Sequence, residues 1–127
     1  MINFITISAP SGAGKTTLCK ALRSVQPDIE WSISHTTRSK RDIEIDGVDY
    51  HFITIEKFEE LILEEAFAEW ENVHGFYYGT TKSNLETALC NDKTLLLEMD
   101  VKGSMSVKKL YPQRTFSIFI LPPSLEH

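Results

Sequence analysis

The chain has 127 residues, of which 42% are apolar and 24% charged, a composition ordinary for one soluble globular domain with a sizeable core. Its net charge of −5 does not favour binding to nucleic acid or to an acidic membrane surface, so any anion site has to be a local cluster of positive groups. The sequence shows neither an apolar run of membrane-spanning length nor the basic start of a signal peptide. Cys19 and Cys90 have no metal-ligand spacing, and together these features predict a cytoplasmic protein.

The first motif is a glycine-containing turn between an apolar run at residues 4–7 and a helical pattern that places Leu18, Leu22 and Val25 on one face. Glycines let backbone N–H groups turn toward phosphate oxygens, and the N-terminus of the following helix adds the positive end of its dipole. The residues predicted to bind the phosphates of a nucleotide in this way are Ala9, Pro10, Ser11, Gly12, Ala13, Gly14, Lys15, Thr16 and Thr17.

Within this motif, Lys15 is expected to place a positive charge at the outer phosphates, and Thr16 a hydroxyl ligand on a magnesium ion. Ala9 stands where the general pattern has a glycine, so the turn is expected to begin with ordinary backbone angles. The alternative is a flexible surface turn that happens to carry a lysine. The strand before the turn and the helix after it favour the phosphate-binding interpretation.

The hydrophobic periodicity of the sequence changes in the middle of the chain. Residues 31–34 alternate like a short strand, and between residues 35 and 49 the periodicity disappears. Thr54 is a candidate N-cap for an amphipathic helix, and residues 66–73 and 76–79 are predicted to form a hairpin that turns at Gly75. A capping box beginning at Ser83 predicts the start of the next helix.

Two continuous apolar runs, residues 94–100 and 115–121, are separated by a helical pattern over residues 102–110. Such runs, joined by helices, are typical of a parallel sheet that is buried on both faces. The sequence therefore predicts an α/β fold: a parallel-sheet core that carries the phosphate-binding turn, as in the P-loop NTPase type, with a smaller mixed α/β insert. The predicted core comprises residues 1–33 and 81–127, and the predicted insert residues 34–80.

The insert carries the second group of candidate site residues, which are Ser34, Arg38, Arg41, Tyr50, Glu69, Tyr78 and Thr80. Two arginines offer planar forks for phosphate oxygens, and two tyrosine hydroxyls can complete the hydrogen bonds of the same phosphate without adding charge. A carboxylate accepts two parallel N–H bonds, which a guanine edge provides and an adenine edge does not. This combination predicts a binding site for a nucleoside monophosphate.

Each of these residues also has a simpler interpretation when it is considered alone. Arg38 and Arg41 could be solvated charges paired with Asp42 or Glu44, since exposed ion pairs are common and weak. The tyrosines could be core residues with satisfied hydroxyls, and Glu69 could be an outward-facing strand residue. Their occurrence together, beside a phosphate-binding motif, favours the binding site.

In this combination the chain resembles the guanylate kinase family. The resemblance extends over essentially the whole chain, in order and at similar spacing. Besides the phosphate-binding turn, it rests on His35-Thr36-Thr37-Arg38, Asp49-Tyr50-His51-Phe52, Phe67-Ala68-Glu69-Trp70 and Tyr77-Tyr78-Gly79-Thr80.

The resemblance implies magnesium-dependent transfer of the γ-phosphoryl group of ATP to GMP, giving ADP and GDP, a step of purine nucleotide metabolism. Lys15, Arg38 and Arg41 are then the catalytic residues, and the turn at residues 9–17 binds ATP. Ser34 and Thr80 are expected to contact the guanine O6 region and Glu69 its N1 and N2 donors. The remaining GMP-binding residues are Arg38, Arg41, Tyr50 and Tyr78 at the phosphate, with Glu98 and Asp100; the metal ligands are Thr16 and Asp100.

Three positions depart from the usual pattern of the family. Glu98 stands where an aspartate is usual, Lys102 where a glutamine is usual, and Lys40 where a proline precedes the second arginine. Family members are also longer, and the resemblance implies that this chain lacks their C-terminal, arginine-rich lid over the ATP phosphates. We therefore expect GMP binding to be retained better than turnover.

Two alternative functions follow from the same residues. One is a non-catalytic guanylate-kinase-like binding module, which the intact Lys15 and Thr16 disfavour because such modules typically lose the lysine-bearing motif. The other is a P-loop kinase for a different nucleoside monophosphate, which Glu69 disfavours. The expected partners are the small molecules ATP and GMP, and the sequence does not specify an oligomeric state.

Overall fold

A computed structural model describes residues 1–8 and 15–120 of the chain, with the backbone alone for Lys15 and Thr16. The chain divides into two compact units: unit 1 is Met1–Trp31 with Ala88–His127, and unit 2 is Ser32–Thr87. The domain limits predicted from the sequence, at residues 33/34 and 80/81, stay a prediction. In chain order the described residues form β1 (Phe4–Ser8), α1 (Lys15–Val25), β2 (Glu30–Trp31), β3 (His35–Thr36), β4 (His51–Phe52), α2 (Ile55–Leu63), β5 (Phe67–Val73), β6 (Phe76–Thr81), α3 (Lys82–Cys90), β7 (Leu95–Glu98), α4 (Val101–Leu110) and β8 (Thr115–Phe119).

Unit 1 is built on a parallel sheet with strand order β2-β7-β1-β8. Strand β7 is buried along Leu95, Leu96 and Leu97, as a strand with covered faces has to be. The core around it contains Ile7 and Cys19, and no more than 2% of the Leu96 and Leu97 side chains is exposed. The predicted parallel sheet is thus confirmed. Its predicted burial on both faces holds for β7 but not for the edge strand β8, where Phe116 and Phe119 are 56% and 48% exposed.

The helices of unit 1 show where the predictions hold and where they do not. Helix α1 turns Leu18 and Leu22 toward the core beside Cys19. Val25, predicted on the same face, is the last residue of the helix and is 75% exposed. Helix α4 begins one residue before its predicted start, because the Asp100 carboxylate accepts a hydrogen bond from the backbone N–H of Gly103 at 2.7 Å.

Unit 2 contains a mixed sheet with strand order β4-β3-β6-β5. Strands β3 and β4 are parallel, whereas β6 is antiparallel to both β3 and β5. The predicted hairpin is confirmed: β5 and β6 are joined at His74 and Gly75, which have φ angles of +54° and +89°. Positive φ at both central residues is what a tight hairpin turn of primed type requires.

Two sequence predictions at the edges of unit 2 are wrong. The strand predicted over residues 31–34 does not exist as one element, because β2 ends at Trp31 and β3 begins at His35 in a different sheet. The helix expected to be capped by Ser83 begins earlier, at Lys82, and its backbone N–H of Asn84 donates to the Thr81 hydroxyl at 3.2 Å. The helix therefore continues directly from strand β6.

Helix α2 covers the hairpin. Its predicted N-cap is confirmed, since the Thr54 hydroxyl accepts a hydrogen bond from the backbone N–H of Lys57. Phe58 is fully buried, and its ring stacks on those of Phe67 and Tyr77 at centroid distances of 4.4 and 4.8 Å. These three rings form the aromatic core of unit 2.

Within the described ranges, residues 1–8 and 15–120, no helix combines the length and the apolar composition needed to cross a membrane.

Candidate nucleotide site

The segment that carries the predicted phosphate-binding arginines leaves β3 from a firmly held position. Thr36 is buried, and its hydroxyl donates to the carbonyl oxygen of Tyr77 on β6 and accepts the backbone N–H of Arg38. Thr37 exchanges two further hydrogen bonds with the backbone of Tyr77. The start of the arginine segment is therefore attached to the central strand of the sheet. Thr36 was not predicted to have this role, although it belongs to the motif His35-Thr36-Thr37-Arg38.

Arg38 forms a two-pronged ion pair with Glu44. Its Nη1 and Nη2 atoms donate to Oε1 and Oε2 at 3.0 and 2.8 Å, and the two side chains are only 13% and 14% exposed. The guanidinium also lies over the rings of Tyr50 and Phe52, with centroid distances of 5.4 and 5.8 Å. Aromatic faces attract a cation in this position, so the plane of the guanidinium is held from several sides.

The ion pair shifts the proton affinities of both partners. The hydrogen bond from Arg38 is the main cause that lowers the pKa of Glu44 to about 2, with a second contribution from the backbone N–H of Arg41. The hydrogen bond to Glu44 likewise raises the pKa of Arg38 further above its ordinary value, and the Tyr78 hydroxyl adds to this. The lowered pKa of Glu44 means that its carboxylate is ionised at neutral pH.

The acids that follow the arginines stabilise their own loop. The Asp49 carboxylate accepts the backbone N–H of Ile45 at 2.8 Å, and the Asp46 carboxylate that of Phe52 at 3.0 Å. Side-chain bonds of this kind replace regular secondary structure in an aperiodic segment. They explain how residues 37–50 can be ordered without forming a helix or a strand.

The two predicted phosphate-binding tyrosines lie close together. The rings of Tyr50 and Tyr78 have their centroids 5.9 Å apart, and Tyr50 also contacts Phe52. The structure thus brings Arg38, Tyr50 and Tyr78 into one cluster. Phe52 belongs to this cluster but was not predicted. Its spacing of two residues from Tyr50 was the available signal, because such residues share one face of an extended chain.

The predicted base-recognition pair lies on the hairpin. Glu69 is the pairing partner of Thr80 across β5 and β6, and the Thr80 hydroxyl donates to its carboxylate at 2.9 Å. A register shift between Phe67 and Glu69 inserts one extra residue into β5 just before this pair. Such bulges commonly re-aim a side chain beside a functional site. Thr80 itself is almost fully buried, at 1% exposure.

Strand β6 carries residues of both predicted groups, the cluster of Arg38, Tyr50 and Tyr78 and the Glu69–Thr80 pair. Tyr78 and Thr80 are two residues apart on it and therefore point to the same side of the sheet. Ser34 is half-buried, and its carbonyl oxygen accepts the backbone N–H of His51. Arg41 is exposed, and its backbone N–H donates to Glu44 at 2.8 Å. Glu44 thus connects Arg38 with Arg41 through hydrogen bonds. The bond between Ser34 and strand β4 is a backbone hydrogen bond.

The other predicted site residues belong to unit 1. Glu98 is the exposed last residue of β7, and Asp100 is the N-cap of α4. The predicted phosphate-binding turn lies outside the described residues at positions 9–14, as do the side chains of Lys15 and Thr16; Thr17 is exposed in the first turn of α1. Strand β1 ends at Ser8 and helix α1 begins at Lys15, so the turn has the strand and the helix that the motif requires on either side.

The parallel α/β core and the mixed sheet with its arginine and tyrosine cluster define the class to which the chain is related, the nucleotide-binding α/β proteins of the P-loop type. The family model for guanylate kinase matches residues 1–127, and the chain belongs to the guanylate kinase family.

Individual relatives give the same result. A guanylate kinase from Anaeromyxobacter dehalogenans is 49% identical over 119 residues, which are 94% of this chain and 53% of that protein. A guanylate kinase from Syntrophotalea carbinolica is 52% identical over 120 residues, or 94% of this chain and 57% of that protein. The crystal structure of guanylate kinase from Anaplasma phagocytophilum matches with a TM-score of 0.76 and 33% identity, covering 98% of this chain and 62% of that one. The chain thus spans a little over half the length of these curated relatives.

Proposed function

We propose that the protein is an ATP:GMP phosphotransferase and that unit 2 holds the acceptor, GMP. The observation that carries the proposal is the cluster of Arg38, Tyr50 and Tyr78, placed on the same side of β6 as the Glu69–Thr80 pair. One end of this arrangement suits a phosphate and the other end a hydrogen-bonding base. The family to which the chain belongs supports the same substrates.

At the phosphate end, the charge and the hydrogen-bond donors are matched to an oxyanion. Arg38 supplies a planar, permanently charged group, and Tyr50 and Tyr78 supply hydroxyls beside it. We include the second arginine, Arg41, which the Glu44 carboxylate ties to the same loop. These groups neutralise the acceptor phosphate, so that a second phosphate group can approach it.

At the base end, the Thr80 hydroxyl donates to one oxygen of the Glu69 carboxylate and thereby orients it. A carboxylate held in this way accepts the N1–H and N2–H groups of guanine. Adenine has no such pair of donors on its corresponding edge, so an adenine ligand cannot form these two hydrogen bonds with the carboxylate. Guanine is therefore the base we assign, with Ser34 and Thr80 beside its O6 atom.

The reaction needs no general base, because the attacking atom is an ionised oxygen of the GMP phosphate. A bond forms between this oxygen and the γ-phosphorus of ATP, while the bond from that phosphorus to the β–γ bridging oxygen breaks and ADP leaves. Catalysis then consists of holding the two phosphates in line and neutralising their charge. We assign Arg38 and Arg41 to the acceptor, and assign Lys15 and the turn at residues 9–17 to ATP.

A magnesium ion bound with ATP supplies charge neutralisation at the donor phosphates. Its proposed protein ligands are Thr16 and Asp100. In residues 1–8 and 15–120, no three side chains of His, Cys, Asp or Glu converge to form a metal site. A single carboxylate such as Asp100 nevertheless fits, because Mg²⁺ commonly takes one or two carboxylates and completes its shell with phosphates and water. One Asp100 oxygen already accepts the Gly103 N–H, which orients the side chain.

We further propose that units 1 and 2 correspond to a donor-binding core and an acceptor-binding insert. A cytoplasmic location fits the exposed thiol of Cys90, since reducing compartments keep such thiols free.

The proposal is tested by titrating the 127-residue chain with GMP and with AMP in a calorimeter, and by repeating both titrations with Glu69→Gln. A glutamine amide offers one acceptor and one donor where guanine needs two acceptors. We expect GMP affinity to fall roughly 10- to 100-fold, as loss of hydrogen bonds to a charged group does, while the weak affinity for AMP changes little. Glu59→Gln, an exposed carboxylate on α2, is the matched control and is expected to leave both affinities unchanged.

Unchanged GMP preference in Glu69→Gln overturns the guanine assignment and leaves a kinase for another monophosphate. If the unaltered chain binds no nucleoside monophosphate, the acceptor site proposed for unit 2 is wrong.

A further inference from the structure

The Glu44 carboxylate is the meeting point of both predicted phosphate-binding arginines. Its Oε1 atom accepts Nη1 of Arg38 and the backbone N–H of Arg41, and its Oε2 atom accepts Nη2 of Arg38. The backbone N–H of Glu44 in turn donates to the carbonyl oxygen of Arg41 at 3.0 Å. One side chain thus sets the orientation of Arg38 relative to the position of Arg41.

The contact uses a particular edge of the Arg38 guanidinium. A guanidinium has two edges that present a pair of N–H groups: the Nη1–Nη2 edge and the Nε–Nη2 edge. Glu44 takes the Nη1–Nη2 edge, and the carbonyl oxygen of Ser39 accepts the other hydrogen of Nη1 at 3.0 Å. The Nε–Nη2 edge faces a different direction, so the Glu44 contact does not occupy it. A second oxyanion can therefore bind Arg38 while Glu44 stays in place.

Two aromatic rings lie beside the same group. The centroids of the Tyr50 and Phe52 rings lie 5.4 and 5.8 Å from the guanidinium carbon of Arg38, and side-chain exposure at the ion pair is low. With one edge held by Glu44 and two rings beside it, the guanidinium keeps its orientation before any ligand arrives. Such pre-organisation raises affinity because less conformational entropy is lost on binding.

We propose that Glu44 is a positioning residue for the acceptor phosphate: by bonding to Arg38 and to the backbone of Arg41, it directs the Nε–Nη2 edge of Arg38 toward that phosphate. This inference rests on the proposed function, since it needs an anion in the cluster of Arg38, Tyr50 and Tyr78. It assigns Glu44 no contact with the substrate.

The same contacts could also give Glu44 the opposite effect on GMP binding, and the two effects have to be distinguished. A carboxylate close to an anion site repels the anion, and a carboxylate paired with the ligating arginine can compete for it. Both effects predict that removing the charge of Glu44 strengthens the binding of GMP. The positioning role predicts the opposite sign, because the freed guanidinium loses its orientation. The sign of the change therefore decides between the two.

The experiment compares the unaltered 127-residue chain with Glu44→Gln, Glu44→Asp and Glu60→Gln. Each is titrated with GMP by calorimetry and with guanosine by protein NMR. Glu44→Gln keeps the size of the side chain but cannot accept both Nη groups. Glu44→Asp keeps the charge on a shorter arm. Glu60→Gln is the matched control, because it removes another carboxylate of unit 2. The Glu60 carboxylate lies 3.6 Å from the Lys57 ammonium group, and both side chains are more than half exposed.

We expect Glu44→Gln to lower GMP affinity about tenfold or more and to leave guanosine affinity unchanged, because guanosine has no phosphate for Arg38 to bind. Glu44→Asp is expected to lose less, and Glu60→Gln nothing. Retained guanosine binding also shows that the variant is folded, so a loss confined to GMP cannot come from general unfolding.

Three results overturn the inference. If Glu44→Gln binds GMP as tightly as the unaltered chain, or more tightly, Glu44 does not position Arg38 for the phosphate. If GMP and guanosine affinities fall together, Glu44 acts on the fold of unit 2 rather than on the phosphate. If the unaltered chain binds neither ligand, the proposed function fails first and the positioning role with it.

Discussion

The two units of the molecule are organised by different interactions. Unit 1 has an aliphatic core beside its parallel sheet, in which Thr6, Ser104 and Ser117 form a hydrogen-bonded group of three hydroxyls. Unit 2 has an aromatic core and a long aperiodic segment held by its own carboxylates. Hydrophobic patterning therefore specifies unit 1, whereas side-chain hydrogen bonds and ring contacts specify unit 2.

The largest effect expected from this difference is a separation of stabilities. Phe58→Ala removes the middle ring of the aromatic core of unit 2 and is expected to cost about 3–5 kcal/mol. Leu96→Ala leaves a cavity in the core of unit 1 and is expected to cost about 2–5 kcal/mol. Hydrogen exchange should show Phe58→Ala loosening β5 and β6, and Leu96→Ala loosening β1 and β7.

Val25→Ala is the control for these two variants, because a side chain that is 75% exposed contributes little to stability. If either core variant lowers amide protection equally in both units, the units unfold as one and their cores are not independent.

The sequence predicted unit 1 well for a physical reason. The continuous apolar runs at residues 94–100 and 115–121 favour strands, and connections through helices make such strands parallel. Strand β7 is buried as predicted, whereas Phe116 and Phe119 of β8 are exposed. The β5–β6 hairpin was equally visible, because Gly75 supplies a positive φ between two aromatic runs. The local sequence was therefore sufficient to predict both the parallel strands and the hairpin.

Residues 37–50 could not be predicted in the same way. Nothing in the pattern of Arg38 and Glu44 distinguishes an exposed, weak ion pair from the shielded two-pronged pair that the structure shows. The shielding of the pair comes from Tyr50 and Phe52, whose rings lie beside Arg38 because β4 pairs with β3. The helix start at Lys82 was missed for a related reason: Thr81 is both the last residue of β6 and the acceptor for Asn84.

A smaller effect is expected at Gly79, in the middle of β6. A Cβ atom on this residue would lie 2.8 Å from two ring carbons of Phe67 and 3.0 Å from Cβ of Trp70. The Phe67 ring is stacked on Phe58 and cannot move freely, so we expect Gly79→Ala to cost about 1–3 kcal/mol by overpacking. Urea unfolding of the variant measures this cost.

A double-mutant cycle tests the cause of the Gly79→Ala effect. Phe67→Leu removes the ring that the new methyl group would strike, so the cost of Gly79→Ala should shrink in that background. An unchanged cost would place the strain elsewhere on β6 and would weaken the view that ring packing controls unit 2.

The smallest expected effect is a difference between the two units in how their stability depends on pH. Three of the four histidines lie in unit 2, and the described residues of unit 1 contain none. Burial lowers the pKa of His35 below its ordinary value of 6.5, the charge of His51 lowers it further, and Asp46 opposes the shift. The His35 and His51 rings lie 4.6 Å apart, and among the described residues the buried Nδ1 atom of His35 has no hydrogen-bond partner.

The sign of the effect follows from proton binding. A histidine whose pKa is lowered in the folded state binds protons more readily when unfolded, so its contribution to the free energy of unfolding is lost as the pH falls below 6.5. We expect unit 2 to lose amide protection between about pH 7.5 and about pH 5.5, and His35→Phe, which keeps a ring but cannot titrate, to reduce that loss. His74→Asn is the control, because His74 is exposed and asparagine tolerates its φ of +54°. A pH dependence that is the same in unit 1, or that disappears in His74→Asn rather than in His35→Phe, would show that His35 is not its source.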